Sequence, residues 1–113
     1  MTLLAALAAA LVAFATPADY VASQQRADGG FGGAQLTAWA TLGLVAHGRD
    51  TAGAAAFLAE QRPQGQTDAA LLALARAAAG DRPEELLPRL RSHRPGKQLN
   101  ATIWTMLALR QAG

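Results

Sequence analysis

The sequence predicts an all-α fold, and three observations carry the prediction. Hydrophobic residues make up 51% of the chain and most are Ala and Leu, the composition of closely packed helices. β-branched residues are sparse and no stretch alternates polar with apolar residues, so no strand is expected. Helical periodicity recurs in segments that stop at Gly48 and Gly80, with the spacing of about 30–37 residues expected of stacked helical hairpins. A chain of 113 residues has room for one domain. Its expected architecture is an apolar N-terminal helix followed by three antiparallel helix pairs, in units of about 17–48, 50–80 and 81–113.

Residues 3–15 form an uncharged apolar run ending in Ala13-Phe14-Ala15. Small residues three and one places before a cut suit signal peptidase, so 1–15 reads as a signal peptide cleaved after Ala15, and the protein as secreted or cell-envelope. No Lys or Arg precedes the run, which leaves a buried core helix of a cytoplasmic protein as the alternative. The run is too short to span a bilayer in the usual way. Thr16-Pro17-Ala18-Asp19 then has the marks of a fresh helix start: Thr16 as N-cap, Pro17 as first helical residue, Asp19 at the positive end of the dipole.

In the first unit, helices are expected over 17–26 and 35–47, the second stopping at Gly48. The second unit is expected to begin at Asp50 as cap residue, run a helix through 54–61, turn at Arg62-Pro63-Gln64-Gly65 and run another over 67–79 to Gly80. The third opens at Asp81-Arg82-Pro83-Glu84, with Asp81 and Glu84 at capping-box spacing, and its first helix is expected to reach about His93. Arg94-Pro95-Gly96 turns the chain into a last helix over 100–112. The second helices align with one another: Thr37-Ala38-Trp39 lies over Thr102-Ile103-Trp104, and Thr67-Asp68-Ala69 fits between them with Ala69 in the Trp place.

The loop of the first unit, Gln25-Arg26-Ala27-Asp28-Gly29-Gly30-Phe31-Gly32, is the most distinctive stretch. Asp28 can fold its carboxylate onto nearby backbone N–H groups, the glycines can take positive φ, and Phe31 can pin the loop to the core. Gln-x-x-Asp-Gly-Gly-Phe-Gly resembles the loop of the prenyltransferase/squalene-cyclase repeat, the unit of α/α-toroid proteins. The resemblance covers residues 17–113 and is strong only in the first unit. It implies an inner ring of second helices enclosed by first helices, with about six pairs closing the ring. This sequence offers three, and so reads as a truncated product, an open half-ring or half of an oligomer. It also implies that Gln25 and Asp28 tie the turn to neighbouring helices.

The chemistry that the resemblance implies lacks its residues. Asp19, Asp28, Asp50, Asp68 and Asp81 stand apart, so the Asp-x-Asp-Asp cluster of the cyclases is missing. Without Cys there is neither the zinc set of protein prenyltransferases nor a thioester. Independently of the family, Ser23 and Ser92 have no nucleophile-elbow setting, Gly29, Gly30, Gly32 and Gly33 precede no Lys-Ser/Thr, and His47 and His93 fall in different units. His47 is expected on terminal helix carbonyls and His93 at the surface. No catalytic residue, metal or cofactor is therefore expected.

The net charge is +2, with nine of the ten basic residues being Arg, and such a mild surplus does not mark a nucleic-acid binder. Arg89, Arg91, Arg94 and Lys97, with His93, make the densest basic patch, a solvated face or a contact for an anionic surface. No aromatic residue interleaves it, which argues against single-stranded nucleic acid. By the resemblance, Trp39 and Trp104 sit on inner helices, where family members line an apolar cavity; each is otherwise a filler of core volume. Three functions follow. The first is a secreted, non-catalytic repeat protein that binds an apolar ligand such as an isoprenoid, or a protein partner, or itself to close the ring. The second is a fragment of a terpene cyclase/prenyltransferase-like enzyme whose catalytic residues lie elsewhere. The third is an anionic-surface module.

Overall fold

Six α-helices make up the regular structure of the residues described by the computed structural model, 16–96 and 98–113, and no strand occurs among them. The expected signal peptide, 1–15, and Lys97 lie outside the described residues. The helices are α1 (Pro17–Ser23), α2 (Ala34–Ala46), α3 (Ala52–Ala59), α4 (Gln66–Ala78), α5 (Leu87–Arg91) and α6 (Leu99–Ala112).

Thr16 caps α1 in a reciprocal box: its Oγ1 accepts from Asp19 N at 3.1 Å, and its own N–H donates to Asp19 Oδ2 at 3.2 Å. With Pro17 at the first turn, this is the start that the sequence signals. The helix stops at Ser23 rather than at 26, because the Arg26 N–H is taken by Gly30 O at 2.8 Å and belongs to the loop. Helices α2 and α4 end alike. Arg49 N donates to Leu44 O and Asp81 N to Arg76 O, both at 2.9 Å, around Gly48 (φ +67°) and Gly80 (φ +88°). These are left-handed turns that glycine takes without a Cβ clash.

The third unit departs from expectation. No helix begins at Asp81; only α5 forms, and the Asp81 carboxylate accepts from Arg76 Nε at 2.8 Å while Glu84 accepts from Arg82 Nε at 2.6 Å. A helix running from 84 to 93 would carry Pro88 in its interior, where the missing N–H and the ring clash break the ladder. Starting at Leu87 puts Pro88 in the first turn, where it is tolerated.

Helix α4 is the centre of the packing. Its most extensive contact is with α6 and its next with α2, so the three long helices lie side by side. Helix α3 packs on both α2 and α4, α5 on both α4 and α6, and α1 on α2. Ala69, Ala70, Ala73 and Ala75 of α4 are fully buried, and side chains this short let neighbouring axes approach. Leu58, Leu87 and Leu90 supply the volume of this main cluster. Phe31, Leu44 and Ala54 form a second, smaller cluster with Val21, Ala22 and Ala40 packed on it.

Burial follows a common pattern in α2 and α4. Thr37, Ala38, Thr41 and Leu44 are buried in α2, and Ala69, Ala70, Ala73 and Arg76 in α4, the same pattern at the interval of the closing glycines 48 and 80. In this register Trp39 matches Leu71, not Ala69. The sequence alignment pairs Thr37 with Thr67, two residues from this match, because an Ala/Leu-rich stretch matches itself at several offsets. Counted back from Gly48 and Gly113, Trp39 and Trp104 hold equal places, whereas the buried Ala101, Thr105 and Ala108 of α6 repeat the spacing of Thr37, Thr41 and Leu44 and put Ile103 at the Trp39 place.

Candidate functional site

The glycine loop is held by its own hydrogen bonds. Gly30 N donates to Asp28 Oδ1 at 2.8 Å, Gly29 N to Arg26 O at 2.9 Å, and Gln25 Nε2 to Gly29 O at 2.9 Å. Phe31 is buried, and its N–H donates to Thr37 Oγ1 at 2.9 Å, fastening the loop to the first turn of α2. Gln25 and Asp28 thus serve the turn. The sequence did not reveal what the loop rests on. Gly29 lies so close to Gly53 of α3 that a Cβ on it would stand 2.3 Å from Gly53 O, and a Cβ on Gly30 would stand 2.8 Å from the Phe57 ring. The loop of unit one is therefore a backbone-to-backbone clasp on the first helix of unit two.

Trp39 and Trp104 meet. Their ring centroids are 5.1 Å apart at an interplanar angle of 75°, the edge-to-face arrangement that aromatic quadrupoles favour. Thr37 and Leu44 turn toward Phe31 and α3, and at 3.6 residues per turn Trp39 lies on the other side of α2 from them. Trp104 stands likewise across α6 from Thr102, which bonds His93 Nε2 at 3.0 Å. The two rings come from the helices flanking α4, where Leu71, their counterpart, is buried. Trp39 remains 44% exposed and Trp104 half-buried. Trp39 stands open to solvent, and Trp104 packs against the main cluster.

An open groove of about 430 Å³ runs between α1 and α2, lined by Tyr20, Val21, Gln24, Phe31, Leu36, Trp39 and Ala40. Sequence reasoning did not single out Tyr20, Leu36 or Ala40. The available signal was the spacing of Leu36, Ala40 and Gly43, which matches that of Ala101, Thr105 and Ala108. Trp104 is not among the lining residues.

Charges are arranged structurally. Arg49 donates to Asp19 Oδ1 at 2.6 Å, joining the start of unit two to α1. The Arg49 hydrogen bond, and next that of Thr16, hold the Asp19 carboxyl below its ordinary value. Arg76 is buried and donates to Asp81 and Glu85. Burial by itself would lower the guanidinium, but bonds to Glu85 and Asp81 outweigh it and hold it above its ordinary value. The Arg76 bond lowers Glu85 in turn. A carboxyl depressed on folding contributes stability above its unfolded pKa, and that contribution is lost as pH falls through the folded value. Thermal melts should therefore give a flat midpoint from pH 7 to about 5 and a falling one below about 4. Asp19→Asn and Glu85→Gln together should flatten the acid limb. A wild-type midpoint unchanged down to about pH 3 would contradict these roles.

Arg89, Arg91 and Arg94 are exposed, and among the described residues none has a carboxylate within ion-pair distance; Lys97 lies outside them. His47 Nδ1 lies 3.0 Å from Gly43 O, on a carbonyl near the end of α2 as expected. His93, expected at the surface, is half-buried and ties the last turn to α6 through Thr102. Among the described residues no group of three His, Asp or Glu side chains is placed to hold a metal ion, and no helix is long and apolar enough to cross a membrane. No protein-family model, curated protein or solved structure matches the chain.

Proposed function

We propose that the chain is a non-catalytic, prenyltransferase/squalene-cyclase-like helical-repeat module that binds an apolar ligand of isoprenoid type on the surface bearing Trp39 and Trp104, in a secreted or cell-envelope setting. The observation that carries the reading is the edge-to-face Trp pair with Trp39 exposed, contributed by two helices flanking a third. A large ring left 44% open to water is a site for further apolar burial, and a polyisoprenoid chain presents the flexible apolar surface to cover it. The side-by-side long helices, with α3 and α5 each bridging two of them, support a segment of an α/α-toroid with the Trp pair on its inner side.

Titration with farnesol below its solubility limit should shift and quench the Trp emission saturably. Trp39→Ala should weaken binding about tenfold, or ~1.4 kcal/mol, since it removes both the ring face and its partner's edge contact. Emission that is indifferent to farnesol, or a Trp39→Ala variant that binds as well as wild type, would count decisively against the reading.

A further inference from the structure

The repeat leaves two faces of the molecule that are halves of one interface. Successive long helices pack side by side, α2 on α4 and α4 on α6. The forward side of α2 carries Ala38, Thr41 and Leu42, and that of α4 carries Ala70, Ala73 and Leu74; all lie in or against packed core, apart from Thr41, which is itself buried. On α6 the apolar Ile103, Met106 and Leu107 lie away from Thr105, which bonds Gln66 of α4, and they are 45%, 65% and 46% exposed. Leu99 extends the same stripe. The backward side shows the reverse. Leu72 and Ala75 of α4, and Ala101, Thr105 and Ala108 of α6, are buried. The side of α2 away from Ala38 and Leu42 carries Leu36, which is 58% exposed, half-buried Ala40, and Gly43, where an added Cβ would meet nothing within 4 Å.

The short helices complete the pattern. Helices α3 and α4 both contact α2, and α5 and α6 both contact α4, so each of these pairs cradles the long helix of the unit before it. Helices α1 and α2 form the same kind of cradle, and the 430 Å³ groove between them is its open seat. The seat suits a helix with an uncovered apolar stripe, and α6 presents one.

We infer that a second copy of this chain docks head to tail, its α6 stripe of Leu99, Ile103, Met106 and Leu107 entering the α1–α2 groove over Leu36, Ala40 and Gly43. The interface continues the internal α2–α4 and α4–α6 packing across two molecules. Being heterologous, it yields a closed ring if the rotation closes and a longer assembly if it does not. The inference rests on the repeat reading of the proposed function and is independent of the ligand.

The test is the oligomeric state of the full chain by sedimentation velocity between about 1 and 200 μM. Wild type should sediment as two or more chains. Gly43→Glu damages only the groove and Ile103→Glu only the stripe; both positions are open, and each variant should keep the helical circular-dichroism spectrum. Alone, each should be a monomer. Mixed in equal amounts, they should form a heterodimer and nothing larger, since one intact groove and one intact stripe remain. A monomeric wild type overturns the inference, whether the groove is then filled by residues 3–15, an apolar ligand or another protein. So does either variant dimerising alone, which would mean like faces pair. A farnesol response lost with the assembly intact would remove the ligand reading only.

Discussion

Gly29→Ala is expected to destabilise the protein by about 3 kcal/mol, more than its one added methyl group would suggest. Two costs combine. Gly29 has φ +90°, where a side chain crowds the backbone, and a strained conformation of this kind costs about 1–3 kcal/mol. The new Cβ would also stand 2.3 Å from Gly53 O and 2.9 Å from Gly53 C, both backbone atoms of α3 that no rotamer change can move. The clasp must open, and the Gln25–Gly29 and Asp28–Gly30 bonds loosen with it. Denaturant unfolding of two further variants provides the scale. At Gly53 a Cβ would meet Gln25 Nε2 at 3.0 Å, the movable end of a side chain, so Gly53→Ala should cost much less. Gly33 has extended backbone and open space around it, so Gly33→Ala should be near neutral. An order other than Gly29, then Gly53, then Gly33 would show that the loop does not rest on α3.

Leu58→Ala should cost about 3–5 kcal/mol, the upper part of the range for a leucine in a core. Leu58 is fully buried on α3, in the cluster with Ala69, Ala70, Leu72, Leu87 and Leu90. Much of that lining is Ala, whose methyl groups are fixed to helix backbones and cannot swing into the space. The cavity would stay open, and both the lost transfer energy and the cavity cost would be felt. For a domain of this size the melting midpoint should drop by roughly 10–25 °C. Leu99→Ala, at a residue 70% exposed, is the matched control and should leave the monomer's stability nearly unchanged. A small loss for Leu58→Ala would mean that the Ala-rich core can collapse.

How legible the fold was differs from element to element. The second helices were expected at 35–47, 67–79 and 100–112, and they form at Ala34–Ala46, Gln66–Ala78 and Leu99–Ala112. Local chemistry marks these ends: Gly33 and Gly65 before the first turn, Gly48 and Gly80 at positive φ after the last. The Thr16 cap and the Asp28 turn were legible for the same reason, since each hydrogen bond closes within three residues. The first helix of unit three was not. Asp81 and Glu84 have the spacing of a cap, but Arg76 and Arg82 claim their carboxylates. At the candidate site the two Trp residues were named from sequence, but not their mutual contact, their exposure, or the groove beside Leu36 and Tyr20.

Read along the chain, residues chose helix, stop and turn, because those choices depend on side chains within about one turn of each other. Packing chose the register of the repeat, the Gly29–Gly53 clasp, and which apolar stripes stay bare. Alanine and leucine give nearly the same hydrophobic signal at several offsets, so one helix face resembles another until a neighbour covers it. Leu74 and Leu107 are both large and apolar in sequence; among the described residues α4 is flanked on both sides and α6 on one, which packs the first against the core and leaves the second open.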